Sequence, residues 1–267
     1  LFWIFRYAEG RTQSGLFYAM KTARKIKLTI QYNGTAYHGW AVQPGLPTVQ
    51  GTLEEAFEKL CGRRVEVVGS SRTDAGVHAL AQTAHVVLED CPIPTANLQK
   101  ALNRLLPADI AVAGVEEVPD SFDAVRSTRG KLYRYTLCTL PIRPVLEMHR
   151  CWHYPYPLNV EAMQQAARYL LGTKDFKSFA SAADCRQSSV RTITLCRVEH
   201  TPPWITIEIA ADGFLYNMVR NIVGTLVEIG RGRWQPDRLN AILEAKNRAA
   251  AGPIAPPGGL CLMQIFY

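Results

Sequence analysis

Apolar and polar positions along the chain repeat with two different periods, and the switches between them lay out the elements. Leu28 and Ile30 alternate with polar neighbours over residues 27–32, the period-two pattern of a half-buried strand, and Asn33-Gly34 then supplies a turn. Leu53, Ala56, Phe57 and Leu60 fall on one helical stripe, with Thr52 and Glu55 at capping-box spacing. Val65, Val67 and Val68 read as a strand; Ala84, Val86 and Leu88 alternate with Thr83, His85 and Val87 as the next, so residues 72–76 form a connection. A second helix takes Thr95 as its N-cap, carries Leu98, Ala101, Leu102 and Leu105 on one face and stops at Pro107, and residues 110–118 make a closing strand.

After Pro119-Asp120 the pattern begins again. Strands are expected at 131–139 and 147–153, then a helix capped by Asn159 with Val160, Met163, Ala167, Leu170 and Leu171 on one side, ended by Gly172. Strands at 191–200 and 204–210 precede an apolar helix over 215–229, a short helix after Pro236 and a final strand over 260–267. The order β-α-β-β-α-β is that of the ferredoxin-like, RRM-like arrangement, in which an antiparallel sheet carries two helices on one face. The expected fold is therefore α+β: two ferredoxin-like halves, residues 24–119 and 120–267, whose sheets join, with the helices on one face and a cleft between the halves. Residues 1–23 read as a non-native or flexible N-terminal extension, with Met20 as a start. The halves share no residue repeat, so only architecture is expected to recur.

Composition narrows the partners. A 48% hydrophobic content over 267 residues is ample for a packed core, and 30 Lys and Arg against 23 Asp and Glu leave a charge of +7 that favours a polyanion. The basic residues gather at Lys21, Arg24, Lys25 and Lys27, at Arg126, Arg129, Lys131 and Arg134, and at Arg186, Arg191 and Arg197; each group reads equally well as a solvated face. The seven cysteines are dispersed without zinc spacing, which points to reduced thiols in a cytoplasmic protein with no metal site. No apolar run approaches a membrane span, and Leu1-Phe2-Trp3-Ile4-Phe5 is too short for a signal core.

The connection over residues 72–76 holds one carboxylate, Asp74, beside Arg72. Its simplest reading is an Asx-turn with Gly76 supplying positive φ; its chemical reading is a reactive acid on a loop held by a rigid scaffold. The stretch Arg72-Thr73-Asp74-Ala75-Gly76-Val77-His78 closely resembles the catalytic motif of the TruA family of tRNA pseudouridine synthases. The resemblance runs on through Tyr32-Asn33-Gly34-Thr35-Ala36-Tyr37-His38-Gly39-Trp40, with Asn33 where the family has an acid, and Thr48-Val49-Gln50. Lys131-Leu132-Tyr133-Arg134-Tyr135, the segment from Phe214 to Gly224, and Ala255-Pro256-Pro257-Gly258-Gly259-Leu260 resemble its later motifs. Ala41 departs from the family's usual Gln. Coverage is essentially residues 24–267.

The resemblance implies conversion of uridine to pseudouridine in the tRNA anticodon arm, at tRNA positions 38, 39 and 40, by a homodimer that needs no cofactor. Asp74 would then be the catalytic carboxylate, since an anionic oxygen can promote cleavage of the C1′–N1 bond by covalent attack; whether it attacks base or sugar stays open. Tyr133 would stack on the target base, or pack with Tyr135 on one sheet face. Arg220 sits among Met218, Val219, Ile222 and Val223 near a helix start, where a cation opposes the helix dipole and calls for an anion. The resemblance makes Asp74 that anion; the alternative is a snorkelling surface arginine. Arg72 would contact the displaced nucleotide, and Arg129, Lys131 and Arg134 the RNA backbone. His78 and His85 read as structural.

Two other functions compete. A non-catalytic RRM-like RNA-binding protein would show aromatics in an RNP1-like strand, and Gln82-Thr83-Ala84-His85-Val86-Val87 has none. A glycoside hydrolase needs a second carboxylate opposite the first, and Glu54, Glu55, Glu89 and Asp90 supply no evident partner.

Overall fold

The computed structural model describes residues 23–267, so the expected extension lies, but for residue 23, outside the described residues. In chain order the strands and α-helices are β1 (Arg24–Tyr32), α1 (Val49–Cys61), β2 (Val68–Gly69), β3 (His78–Leu88), α2 (Thr95–Leu105), β4 (Ile110–Val118), β5 (Gly130–Cys138), β6 (Trp152–His153), α3 (Val160–Arg168), β7 (Gly172–Asp175), β8 (Val190–Thr201), β9 (Trp204–Ala211), α4 (Met218–Gly230), α5 (Arg238–Ala245) and β10 (Leu260–Phe266). The ten strands form one sheet ordered β4-β1-β3-β10-β5-β9-β8-β7, with β2 added to β3 and β6 to β5. Pairing is antiparallel except between β10 and β3 and between β5 and β6. The fold is thus mixed α+β, built on one large, mostly antiparallel sheet.

The last strand joins the sheet's two sides. β10 lies antiparallel to β5 from Leu260↔Tyr135 to Phe266↔Gly130, and its start runs parallel to β3 through Cys261↔His78 and Leu262↔Ala79. The strand that follows α5 therefore ties the end of the chain to the strand that opens after Asp74.

Period-two alternation sets the sheet faces. Ile26, Leu28 and Ile30 of β1 are fully buried on one face, and Tyr133, Tyr135 and Leu137 of β5 register with Ile209, Ile207 and Ile205 of β9. The apolar stripes of α1–α4 join this same core. Every residue of α4 is buried except Arg220. On the second sheet face Arg134 and Arg197 pair with Glu208, and Lys27 lies 5.8 Å and 5.5 Å from the ring centroids of Phe122 and Tyr267.

Several expected boundaries move. α1 begins a turn early because Val49 belongs to its apolar stripe; Thr48 is the N-cap, accepting from Gly51 N at 3.3 Å, and Thr52 lies inside the helix, donating to Thr48 O, so there is no Thr52–Glu55 capping box. Thr95 is the first helical residue of α2, with its hydroxyl engaged by Arg24 and Glu117 rather than capping. Only Trp152–His153 of the expected 147–153 strand pairs, since residues 144–150 coil into successive turns. α3 stops at Arg168, and Gly172, at φ +89°, opens the unanticipated β7 instead of closing the helix. α4 starts at Met218, after a turn in which Asn217 is left-handed at φ +60°. No helix of the described residues is long and apolar enough to cross a membrane.

Candidate active site

The loop over residues 72–77 rests on the segment after β1, and glycines allow the contact. Trp40 N donates to Thr73 O at 3.0 Å, Gly76 N to Tyr37 O at 3.3 Å, and the Tyr32 and Thr73 hydroxyls meet at 2.7 Å. A Cβ at Gly34 would sit 2.0 Å from Val77 O, and one at Gly39, where φ is +94°, 2.6 Å from Thr73 O. The two backbones thus touch where side chains would hold them apart. His78 adds a clamp: Nδ1 accepts from Gly34 N at 3.0 Å, and Nε2 donates to His149 O at 2.8 Å. Burial lowers its pKa, which favours this neutral tautomer. His85 Nδ1 likewise accepts a backbone N–H, that of Ala124.

Within the loop, Val77 N donates to Asp74 O at 3.1 Å and Gly76 takes φ +77°. The turn is therefore closed by backbone, not by an Asx side chain. The Asp74 carboxylate is left for another partner: Arg220 Nη1 lies 3.2 Å from Oδ2. Arg220 is itself oriented on two further sides, Nε donating to Ala255 O at 2.8 Å and Nη1 to Asn217 Oδ1 at 3.1 Å. Asn217 is anchored by Nδ2 to Ser181 Oγ at 2.8 Å. The pair is one-pronged, and Nε of the same guanidinium reads the backbone that precedes β10.

Asp74 and Arg220 keep only 21% and 13% of their side-chain surface exposed. Burial raises the Asp74 pKa, and Arg220 opposes that rise without cancelling it. The carboxylate is thus only partly compensated.

Asp74 and Arg220 line a cleft of about 890 Å³. Tyr133 lines it too, but with 7% of its surface exposed; its hydroxyl bonds Ser71 Oγ at 2.8 Å and its ring meets Phe214 edge-on at 5.2 Å. Burial, first, and the nearby Asp74 push the Tyr133 phenol up to about 12, so it is neutral at pH 7. Arg72 is exposed at the cleft, and its guanidinium has no hydrogen-bond or ion-pair partner among the described residues.

The expected basic trio does not come together. Lys131 lines the cleft, donating to Ser70 O at 2.7 Å, while desolvation and then Arg186 bring its amine down to about 8. Arg134, three residues along the same strand, falls on the opposite sheet face, bonded to Glu208 at 2.7 Å and 3.0 Å. Arg129 is exposed and does not line the cleft. Its place is taken by Arg186, held by Asp184 at 2.6 Å. Asp184 also accepts from Tyr216 N and Arg186 N, and these bonds outweigh its desolvation and keep it ionised. Asp212, also in the lining, accepts from Thr192 N at 3.1 Å. The cleft therefore contains two further carboxylates, both occupied by hydrogen-bond donors.

Sequence reasoning missed Ser71, Ser181 and Asp184, and named Arg186 only as part of a basic group with Arg191 and Arg197. The Asp184-Cys185-Arg186 spacing is the only local signal among them, because the others act through contacts between distant segments.

Residues 28–126 and 166–267 match the family model for tRNA pseudouridine synthase. The chain is 45% identical over 244 residues to tRNA pseudouridine synthase A of Acetivibrio thermocellus, covering 91% of this chain and all of that protein. It is 43% identical, with the same coverage, to tRNA pseudouridine synthase A of a Thermoanaerobacter species. To tRNA pseudouridine synthase A 2 of Clostridium perfringens it is 45% identical, again over 91% of this chain and all of the relative.

Proposed function

The chain belongs to the tRNA pseudouridine synthase A family and isomerises uridine to pseudouridine in tRNA, and we propose that Asp74 is the group that opens the glycosidic bond. The observation that carries this assignment is the Asp74–Arg220 pair inside the cleft. Arg220 takes Oδ2, which leaves Oδ1 without a hydrogen-bond partner among the described residues and free to attack. The reaction breaks C1′–N1, forms a transient bond between an Asp74 oxygen and either sugar or base, turns the base, forms C1′–C5, breaks the Asp74 bond to regenerate the carboxylate, releases the C5 proton and returns a proton to N1. A partly desolvated carboxylate is the stronger nucleophile for it, provided Arg220 keeps it ionised.

Tyr133 and Phe214 form an apolar wall on which the uracil rests. The neutral Tyr133 hydroxyl, joined to Ser71, serves as proton relay rather than as a phenolate base. Arg72, Lys131 and Arg186 meet the phosphates flanking the displaced nucleotide. Arg129 adds a weaker contact outside the cleft, and Arg134 reaches RNA only if tRNA also touches the far sheet face.

The remaining features follow the family resemblance: anticodon-arm uridines at tRNA positions 38, 39 and 40 as targets, a homodimer, a cytoplasmic location in keeping with the free cysteines, and no cofactor. Two ferredoxin-like halves, 24–119 and 120–267, are supported by the order β4-β1-β3 with β2 beside β3. Mapping pseudouridine in a defined tRNA transcript before and after incubation tests the target assignment. New pseudouridine at positions 38, 39 and 40 is expected; modification confined to another arm of the tRNA overturns it.

A further inference from the structure

Cys61 and Cys91 lie outside the cleft and take no part in its chemistry. Cys61 is the last residue of α1, Cys91 follows the end of β3, and their Sγ atoms are 2.8 Å apart. Both are half-buried and free. The flanks are already fastened to each other: Arg63 donates to Glu89 O at 2.7 Å and pairs with the Glu89 carboxylate at 3.2 Å, and Arg24 donates to Cys91 O at 3.2 Å. A disulfide bond is about 2.05 Å long, so closing it requires an approach of less than about 1 Å. Two thiolates on one zinc ion would stand wider, about 3.8 Å apart at a zinc–sulfur distance of about 2.3 Å. No group of three or more potential ligands that could hold a metal occurs among the described residues.

We propose that Cys61 and Cys91 are a modification site, joined by a hydroperoxide oxidant into a disulfide that clips the chain around β2, the Asp74 loop and β3. The Cys61 thiol donates to Cys91 Sγ, so the Cys91 sulfur is the nucleophile. Burial, then the neighbouring thiol, push Cys61 up to about 12 and keep its proton in place. Cys91 attacks the peroxide oxygen, the O–O bond breaks, and Cys91 becomes a sulfenic acid with release of water. The Cys61 sulfur then attacks the Cys91 sulfur and a second water leaves. Two thiols and one hydrogen peroxide thus give one disulfide and two waters, and a small dithiol reverses the bond by exchange.

The clip sits far from the chemistry. β3 spans 11 residues from His78 to Leu88, so the end of the strand that leads to Cys91 lies about 30 Å from the end that follows Asp74. Oxidation therefore resists unfolding without altering turnover, because it constrains a long loop of the unfolded chain.

The test treats the full chain with hydrogen peroxide and maps it by non-reducing peptide mass spectrometry, beside Cys61→Ser and Cys91→Ser. The expected product is a cross-linked peptide pair joining Cys61 to Cys91, absent from both variants. The oxidised wild type should melt roughly 5–10 °C higher and return to the reduced value with dithiothreitol. Separate sulfinic acids at the two positions, or both thiols still open to alkylation once the exposed Cys185 is oxidised, would overturn the proposal. Neither observation depends on whether the serine variants fold, or on the assignment of Asp74.

Discussion

Arg220 Nη1 meets Asp74 Oδ2 at 3.2 Å across 146 positions of sequence, while the same guanidinium holds Ala255 O and Asn217 Oδ1. A lysine carries the charge but cannot span three acceptors in different directions. Arg220→Lys should therefore lower kcat by about 10- to 100-fold with little change in tRNA affinity, the range of a lost charge-assisted hydrogen bond. Single-turnover rates and filter binding on the same variant separate the two effects.

Arg220→Met should also move the pH profile. Burial already raises the Asp74 pKa, and Arg220 is the opposing influence, so its removal raises that pKa further. The reaction needs the carboxylate, and the acid limb of kcat/KM should shift to higher pH. An unshifted limb would remove Arg220 from control of Asp74.

The same shift has a consequence for stability. A carboxyl whose folded-state pKa lies above its unfolded value stabilises the fold when protonated, and loses that contribution as pH rises through the folded pKa. At pH 7 ionised Asp74 is thus a net burden, and Asp74→Asn should melt at a higher temperature than wild type. The difference should shrink as pH falls below the unfolded value. Thermal melts at pH 7 and pH 3 check the difference and its loss.

Tyr133 should show two separable roles. Tyr133→Phe keeps the ring against Phe214 but leaves Ser71 without its 2.8 Å partner, so binding should persist while a proton-transfer step slows. Tyr133→Ala empties a site that is 7% exposed and should cost about 3–5 kcal/mol of stability besides activity, measured by urea unfolding.

Lys131 and Arg186 should govern salt dependence. Replacing either by Met should reduce the slope of log affinity against log salt by about one, whereas Arg134→Met should leave it unchanged, because Arg134 pairs with Glu208 on the other sheet face. Lys131 titrates near 8 and is charged below that pH, so tRNA affinity should weaken as pH rises through that value. Lys131→Met should lose this dependence.

Much of this was legible in the sequence where one residue type serves one purpose. The strands of β1, β3, β5, β8 and β9 follow from alternation, and the motif around Asp74 marked the loop correctly because Gly76 and the cradle glycines Gly34 and Gly39 are demanded by backbone contact. Strand parity could also have separated Lys131 from Arg134, since a spacing of three in a strand puts side chains on opposite faces. What stayed hidden depends on long-range registration. The insertion of β10 between β3 and β5 leaves no local pattern, and nothing in the sequence around Ser71 announces Tyr133 as its partner. The caps at Thr52 and Thr95 failed because tertiary contacts moved the helix starts, Val49 pulling α1 into the core and Arg24 occupying the Thr95 hydroxyl.

The central claim is that the Asp74 carboxylate is the reactive group, and release of tritium from tRNA uridine labelled at C5, measured with wild type and Asp74→Asn alongside tRNA binding, tests it most directly. The account predicts no detectable release by Asp74→Asn at enzyme excess, with affinity within a few-fold of wild type, because one amide replaces the nucleophile but no phosphate contact is lost. Tritium release by Asp74→Asn at the wild-type rate would contradict it.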